Sequence, residues 1–145
     1  MNSKQIQHAL FNQFGQSSAL MIPNYTPRGW FESDMIRVTK AGFLEEFEIK
    51  ISVADFKADA KKGPTDHERA RFELLPDDDF FKRKFEPRTK HERLEQGDTR
   101  GPCRFWFAIP EDLFGKVEIP RWAGLVTLRD HRGHIRVTTW GDQFK

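Results

Sequence analysis

Cysteine is nearly missing from these 145 residues: Cys103 stands alone, which excludes an internal disulfide framework and fits a reducing cytoplasm. No apolar run approaches the roughly 18 residues that a membrane span needs, and no apolar leader segment is evident, so neither a span nor secretion is expected. An excess of one charge is lacking too. The 24 Lys and Arg face 22 Asp and Glu for a net charge of +2, so any attraction to a polyanion must come from how charge is distributed. His67, His91, His131 and His134 lack the paired Cys/His spacing of a zinc site, which argues against structural zinc. What the chain does have is aromatic bulk, 13% of residues with 14 Phe, enough for one core despite 32% charged content. The length suits a single domain over residues 1–145.

Hydrophobic periodicity places the elements. Ser3 is expected to cap a helix whose buried stripe is Ile6, Ala9, Leu10 and Phe14, closing at Gly15. Ala19–Ile22 reads as a short strand, and Pro23–Gly29 as a loop rich in turn-forming residues. Ser52 caps a helix expected over Val53–Lys62, with Asp55 near its positive end and lysines toward its close. Lys57, Lys61 and Lys62 are candidates for phosphate contacts, although lysines at a helix end also serve simply to offset the dipole.

Residues 63–102 have no clean period. With Lys61 and Lys62 they carry eleven basic and ten acidic residues, which reads either as a solvated insertion or as an arm over an active face. In the second case Lys82, Arg83, Lys84, Arg88 and Lys90 would face a phosphate backbone. Asp77–Asp79 reads as a turn or helix start rather than a calcium loop. Order returns with an apolar strand over Cys103–Ile109, a helical turn begun by Pro110, and a closing hairpin of Gly124–Arg129 and Ile135–Trp140. Trp106, Trp122 and Trp140 read as core or rim packing ahead of base stacking. This order of elements predicts an α/β (α+β) domain with a central mixed sheet flanked by helices.

The chemistry concentrates between Asp34 and Lys50. Trp30–Val38 alternates loosely, Phe43–Ile51 alternates strictly, and Gly42 lies between them, so the two runs form a hairpin. A three-residue loop, Lys40–Gly42, sets Thr39 opposite Phe43 and, counting back, Asp34 opposite Glu48. Phe47, Ile49 and Ile51 then point to the core, and Glu46, Glu48 and Lys50 to the other face. Two converging carboxylates suit a hard divalent cation, to which the Ile49 carbonyl can add a third oxygen. Lys50 beside them can orient an attacking water or stabilise charge developing on a phosphate. The plainer reading is an amphipathic hairpin with cross-strand charge pairs, since Glu-x-Lys on a strand is a short motif.

Beyond these residues, Pro27–Asp34, Glu48-Ile49-Lys50 and Ser52–Asp59 resemble the PD-(D/E)XK nuclease superfamily, and in particular its small phage and bacterial MmcB-like, DNA-repair-type members. Lys90–Leu94, Arg104–Leu113 and Ile119–Leu125 extend the resemblance in the same order over most of the chain. It implies a restriction-endonuclease-like core and a Mg²⁺- or Mn²⁺-dependent deoxyribonuclease in which Asp34 and Glu48, with Ile49, hold metal and Lys50 assists the water. DNA is the implied partner, with no membrane contact, a homodimer left open, and a bacterial or phage-infected cytoplasm as the setting. Lys57, Lys61, Lys62, Lys82, Arg83, Lys84 and Lys90 are the candidate nucleic-acid contacts. Two departures stand out: no proline precedes the first acid, which follows Glu32-Ser33, and Ser3–Phe14 carries no carboxylate where many relatives place a further metal ligand. The second departure leaves open a catalytically weak nucleic-acid-binding accessory protein serving phage replication, repair or defence. A third reading is a structural or inhibitory phage protein that contacts other proteins.

Overall fold

The computed structural model describes residues 1–64, 66–84 and 86–140, without the side chains of residues 66, 67, 81, 83 and 84. The first helix, α1 (Ser3–Phe14), starts one residue earlier than a Ser3 cap would allow. Asn2 is the cap: its side chain accepts the Gln5 N–H at 3.0 Å, and the Gln5 side chain accepts the Asn2 N–H at 2.8 Å. That reciprocal pair satisfies two amide donors that the first turn leaves free, so it outcompetes a lone serine. Ile6, Ala9 and Leu10 form the buried stripe as expected, and Phe14, expected with them, is partly buried against the same core.

Six strands follow: β1 (Ser18–Tyr25), β2 (Ser33–Thr39), β3 (Leu44–Ile49), β4 (Arg104–Pro110), β5 (Gly124–His131) and β6 (His134–Trp140). They form one mixed sheet in sequence order, antiparallel except for the parallel β3–β4 and β4–β5 pairs. With helices on it, the sheet makes an α+β fold. β4 lies at the centre of the parallel part, and Phe105, Trp106, Phe107, Ala108 and Ile109 are all buried, as a strand covered on both faces requires. On one face α1 packs against Met35, Phe47, Ile49, Trp106, Ala108, Val126 and Leu128. The other face gathers Phe56, Phe105, Phe107, Ile109, Leu113, Ala123 and Leu125. β5 begins on glycine because Trp106 lies against it: a Cβ on Gly124 would sit 2.3 Å from the indole. The β5–β6 turn is the tight two-residue kind, with Arg132 at φ 53° and Gly133 at φ 83°.

The β2–β3 hairpin has the register that the alternation predicts. Met35 pairs with Phe47, Ile36 with Glu46, Arg37 with Glu45 and Val38 with Leu44, and the Thr39 N–H donates to the Phe43 carbonyl at 2.9 Å. Continued by one position beyond Met35 and Phe47, this register sets Asp34 opposite Glu48. Ile51, expected in the core, is 44% exposed. The ladder ends at Ile49, the Lys50 N–H still reaches the Ala108 carbonyl at 3.0 Å, and the chain then turns toward the Ser52 cap, so the alternation stops before Ile51.

Helix α2 (Val53–Asp59) is capped by the Ser52 side chain, which accepts the Asp55 N–H. It is shorter than expected because Lys61 and Lys62 lie in tight turns, their N–H groups bonding back to Ala58 and Asp59 ahead of Gly63-Pro64. Residues 63–102 hold α3 (Asp66–Glu73), α4 (Asp79–Lys84) and α5 (Lys90–Glu95). The stretch read as a charged insertion or arm meets the body of the protein at α5. A Thr89–Glu92 capping box starts this helix, and Lys90 and Arg93 on it are buried. Among the described residues, no helix is long and apolar enough to cross a membrane.

Candidate active site

A buried cluster of carboxylates and ammonium groups occupies the sheet face opposite α1. Strand alternation directs Glu46, Glu48 and Lys50 there, and α2 and α5 bring Asp59, Lys90 and His91 onto them. Glu48 is the hub. Its Oε1 lies 2.8 Å from Lys50 Nζ and 2.9 Å from Lys62 Nζ, and its Oε2 lies 2.8 Å from Lys90 Nζ. Lys90 also contacts Glu46 Oε1 at 2.6 Å, while the Trp30 indole N–H donates to Glu46 Oε2 at 2.8 Å. Asp59 completes the circuit, with Oδ1 3.0 Å from Lys50 and 3.3 Å from Lys62, and Oδ2 2.7 Å from His91 Nε2. Lys90 has no exposed surface, and Glu46, Glu48 and Asp59 have at most 2%.

Charges this deeply buried survive only because they are paired. Burial pushes the Asp59 carboxyl up, but the His91 bond and the Lys50 ammonium outweigh it and hold Asp59 well below the usual carboxylate range. Burial also works against Glu48, helped by the charge of Asp59, yet Lys90, Lys50 and Lys62 bring it below its ordinary value. Glu46 and Lys90 respond differently to one contact. Burial lifts Glu46 above its ordinary value despite Lys90, whereas two carboxylates overcome the burial of Lys90 and raise it. The ion-paired form is the one the geometry holds, because Lys90 has two carboxylates within 2.8 Å and no exposed surface.

Asp34 stands at the edge of this cluster. Its Oδ2 accepts the Ile49 N–H at 2.7 Å, fixing the carboxylate across the hairpin. Burial and then the charge of Glu48 raise its pKa, against the Ile49 N–H, Lys50 and Lys62. This repulsion accords with the hairpin register, which places the two carboxylates on one side of the sheet. On α1, the Gln7 amide donates to the Asp34 carbonyl at 2.9 Å, so the helix that carries no carboxylate still touches the site through Gln7. Lys50 is raised: burial opposes its charge, but Glu48 and Asp59 prevail, so it stays an ammonium at neutral pH.

Asp34, Glu48, Lys50 and Lys62 are therefore brought together. Ile49 joins them through its N–H, which donates to Asp34 Oδ2. Lys90 overturns its reading as a phosphate contact on the surface: two glutamates neutralise it and no solvent reaches it. Lys57 and Lys61 are exposed, and Lys82 pairs with Asp77. The side chains of Arg83 and Lys84 lie outside the described residues. Sequence reasoning missed the roles of Glu46, Asp59, His91 and Trp30. The available signal was that Glu46 shares the face of Glu48, and that Asp59 follows Asp55 by one turn on the helix beside it. Among the described residues, no three His, Cys, Asp or Glu side chains form a ready-made metal cage.

No protein-family model matches the chain, and no curated protein matches it. Among solved structures, it is similar to the SPO1766 protein of unknown function from Silicibacter pomeroyi, with a TM-score of 0.56 and 15% identity over 97% of this chain and 73% of that one. At that identity the likeness concerns the fold alone.

Proposed function

We propose that this chain is a metal-dependent DNA nuclease with a restriction-endonuclease-like core, of the PD-(D/E)XK kind, that hydrolyses phosphodiester bonds by water attack. The observation that carries the reading is the hairpin register, which continued by one position beyond Met35 and Phe47 sets Asp34 opposite Glu48, with the Asp34 carboxylate held by the Ile49 N–H and the Lys50 ammonium 2.8 Å from Glu48. The donor set fits a small divalent cation. Asp34 and Glu48 repel each other, the Asp34 Oδ1 has no hydrogen-bond partner among the described residues, and a cation would relieve both conditions. Asp34 and Glu48 would hold Mg²⁺ or Mn²⁺, which supplies an activated water and neutralises phosphate charge. Lys62 shares Glu48 Oε1 but has 45% of its side chain exposed, so it can swing away from that oxygen.

The chain's own residues then have distinct tasks. Because its pKa is raised, Lys50 cannot serve as a general base; it donates hydrogen bonds to the attacking water or to the phosphoryl oxygen as charge builds there. Asp59, anchored by His91, joins Glu48 in holding the Lys50 ammonium in place. Lys90, itself paired with Glu46, fixes Glu48.

A panel of linear, nicked, branched and single-stranded DNA with Mg²⁺ or Mn²⁺ tests this. Cleavage by the native protein and none by Asp34→Asn is the expected result. A second reading, a catalytically weak nucleic-acid-binding accessory protein, draws on a specific observation: three ammonium groups already contact both oxygens of Glu48, and α1 supplies no carboxylate. DNA binding without cleavage of any substrate in the panel would select it.

A further inference from the structure

Beside the carboxylate cluster lies a cavity of about 480 Å³, within the size range of small-molecule sites. Helix α5 connects the two, with Lys90 in the cluster and Arg93 in the cavity wall one turn later. Arg93 is a fixed part of that wall: it donates to Glu68 at 2.7 Å, to Asp98 at 2.8 Å and to the Gly29 carbonyl at 2.8 Å, and lies 4.5 Å over the Trp30 ring. Arg100 pairs with Asp98 as well, at 3.0 Å. Asp98 and Glu68 are thus committed to Arg93 and Arg100.

Arg71 and Arg88 also line the cavity, and neither pairs with a carboxylate among the described residues. Among the described residues, Arg88 bonds the neutral side-chain oxygen of Gln96. Glu86 is the remaining carboxylate of the lining, which leaves one more guanidinium than carboxylates around the space. The rest of the wall is apolar, with Phe72, Leu75 and Pro87. Two guanidinium forks lining one cavity with a ring and aliphatic surface match a phosphate joined to a flat heterocycle: arginine reads phosphate through paired donors, and an aromatic face takes a base of any identity.

We infer that this cavity binds a nucleoside phosphate, presented as one unit of a nucleic-acid strand whose neighbouring phosphodiester lies at Asp34 and Glu48. The inference rests on the nucleic-acid part of the function proposed above and is independent of cleavage. Arg71 and Arg88 hold the phosphate, and Phe72 and Pro87 flank the base.

The test uses the full chain carrying Asp34→Asn, without divalent metal, so that binding is read apart from catalysis. Fluorescein-labelled single-stranded and duplex oligonucleotides are titrated at several salt concentrations, and adenosine monophosphate is titrated separately. Arg71→Ala/Arg88→Ala is expected to weaken oligonucleotide binding about tenfold and to reduce the salt slope for single strands by about 0.7 units, the value for one phosphate no longer neutralised. Both arginines are exposed, so the variant should fold, and its circular dichroism and melting curve verify that. An Arg71→Lys/Arg88→Lys variant should regain the salt slope but only part of the affinity. Arginine-dependent binding of adenosine monophosphate alone would retain the nucleoside-phosphate site and make its source a free nucleotide. Oligonucleotide binding with unchanged affinity and slope in the Ala variant overturns the inference while leaving the nuclease reading to the cleavage panel. Binding of neither probe overturns it as well.

Discussion

Lys90 Nζ lies 2.8 Å from Glu48 Oε2, a contact between residues 42 positions apart that no solvent reaches. It ties α5 to the central hairpin and fixes the carboxylate proposed to hold metal. Its loss should therefore affect stability and chemistry together.

Replacing Lys90 by Met, which keeps most of the side-chain volume, leaves Glu46 and Glu48 buried with one cation fewer. Removing one partner of a buried ion pair costs about 3–5 kcal/mol. Urea unfolding should show a loss of that order. A loss below about 1 kcal/mol would mean that Glu46 takes up a proton at little cost, in line with its raised pKa.

Lys50→Ala should lower the cleavage rate about a hundredfold or more, as removal of a charge-stabilising donor does. Asp59→Asn should give a smaller loss, since it releases the Lys50 ammonium without deleting it. Single-turnover cleavage measures both, and native-like rates in the Lys50 variant would reduce Lys50 to a structural partner of Glu48.

Divalent metal should raise the melting temperature of the native protein and not that of Asp34→Asn. At a hundredfold excess over the dissociation constant, the stabilisation is about 2.7 kcal/mol. The bound cation should have carboxylate oxygens of Asp34 and Glu48 at about 2.0–2.1 Å if it is Mg²⁺. Equal shifts in both proteins would place the metal elsewhere.

Acid should weaken the cluster through Asp59. Its folded pKa is depressed, so on acidification the unfolded state takes up the proton first. The stabilisation is fully present above the ordinary Asp value of about 3.9 and drains away as pH falls below it. Asp34 and Glu46, both raised, act in the opposite sense, since their protonation on the way down relieves a cost of burial. The stability difference between native protein and Asp59→Asn isolates the first effect: it should shrink steadily below about pH 4. A difference independent of pH would contradict the pairing of Asp59 with Lys50 and His91.

The hairpin was legible in the sequence because its determinants are local. A period-two pattern ending in a three-residue loop allows one register that buries Met35 and Phe47, and that register alone carries Asp34 to Glu48. The stripe of α1 and the apolar strand β4 were legible for the same reason: periodicity reports which face is buried. The fate of Lys90, Asp59 and His91 was not. A lysine in a charged stretch looks the same in sequence whether water or two glutamates surround it, and only the placement of α5 against β3 decides between them. Ile51 shows the converse limit, where an alternation that continued in the sequence ended in space because the chain left the sheet after Lys50. The sequence by itself determined the register and the facing of the two acids. The tertiary structure decided which charges meet, since pairing between distant segments depends on packing geometry that no local pattern encodes.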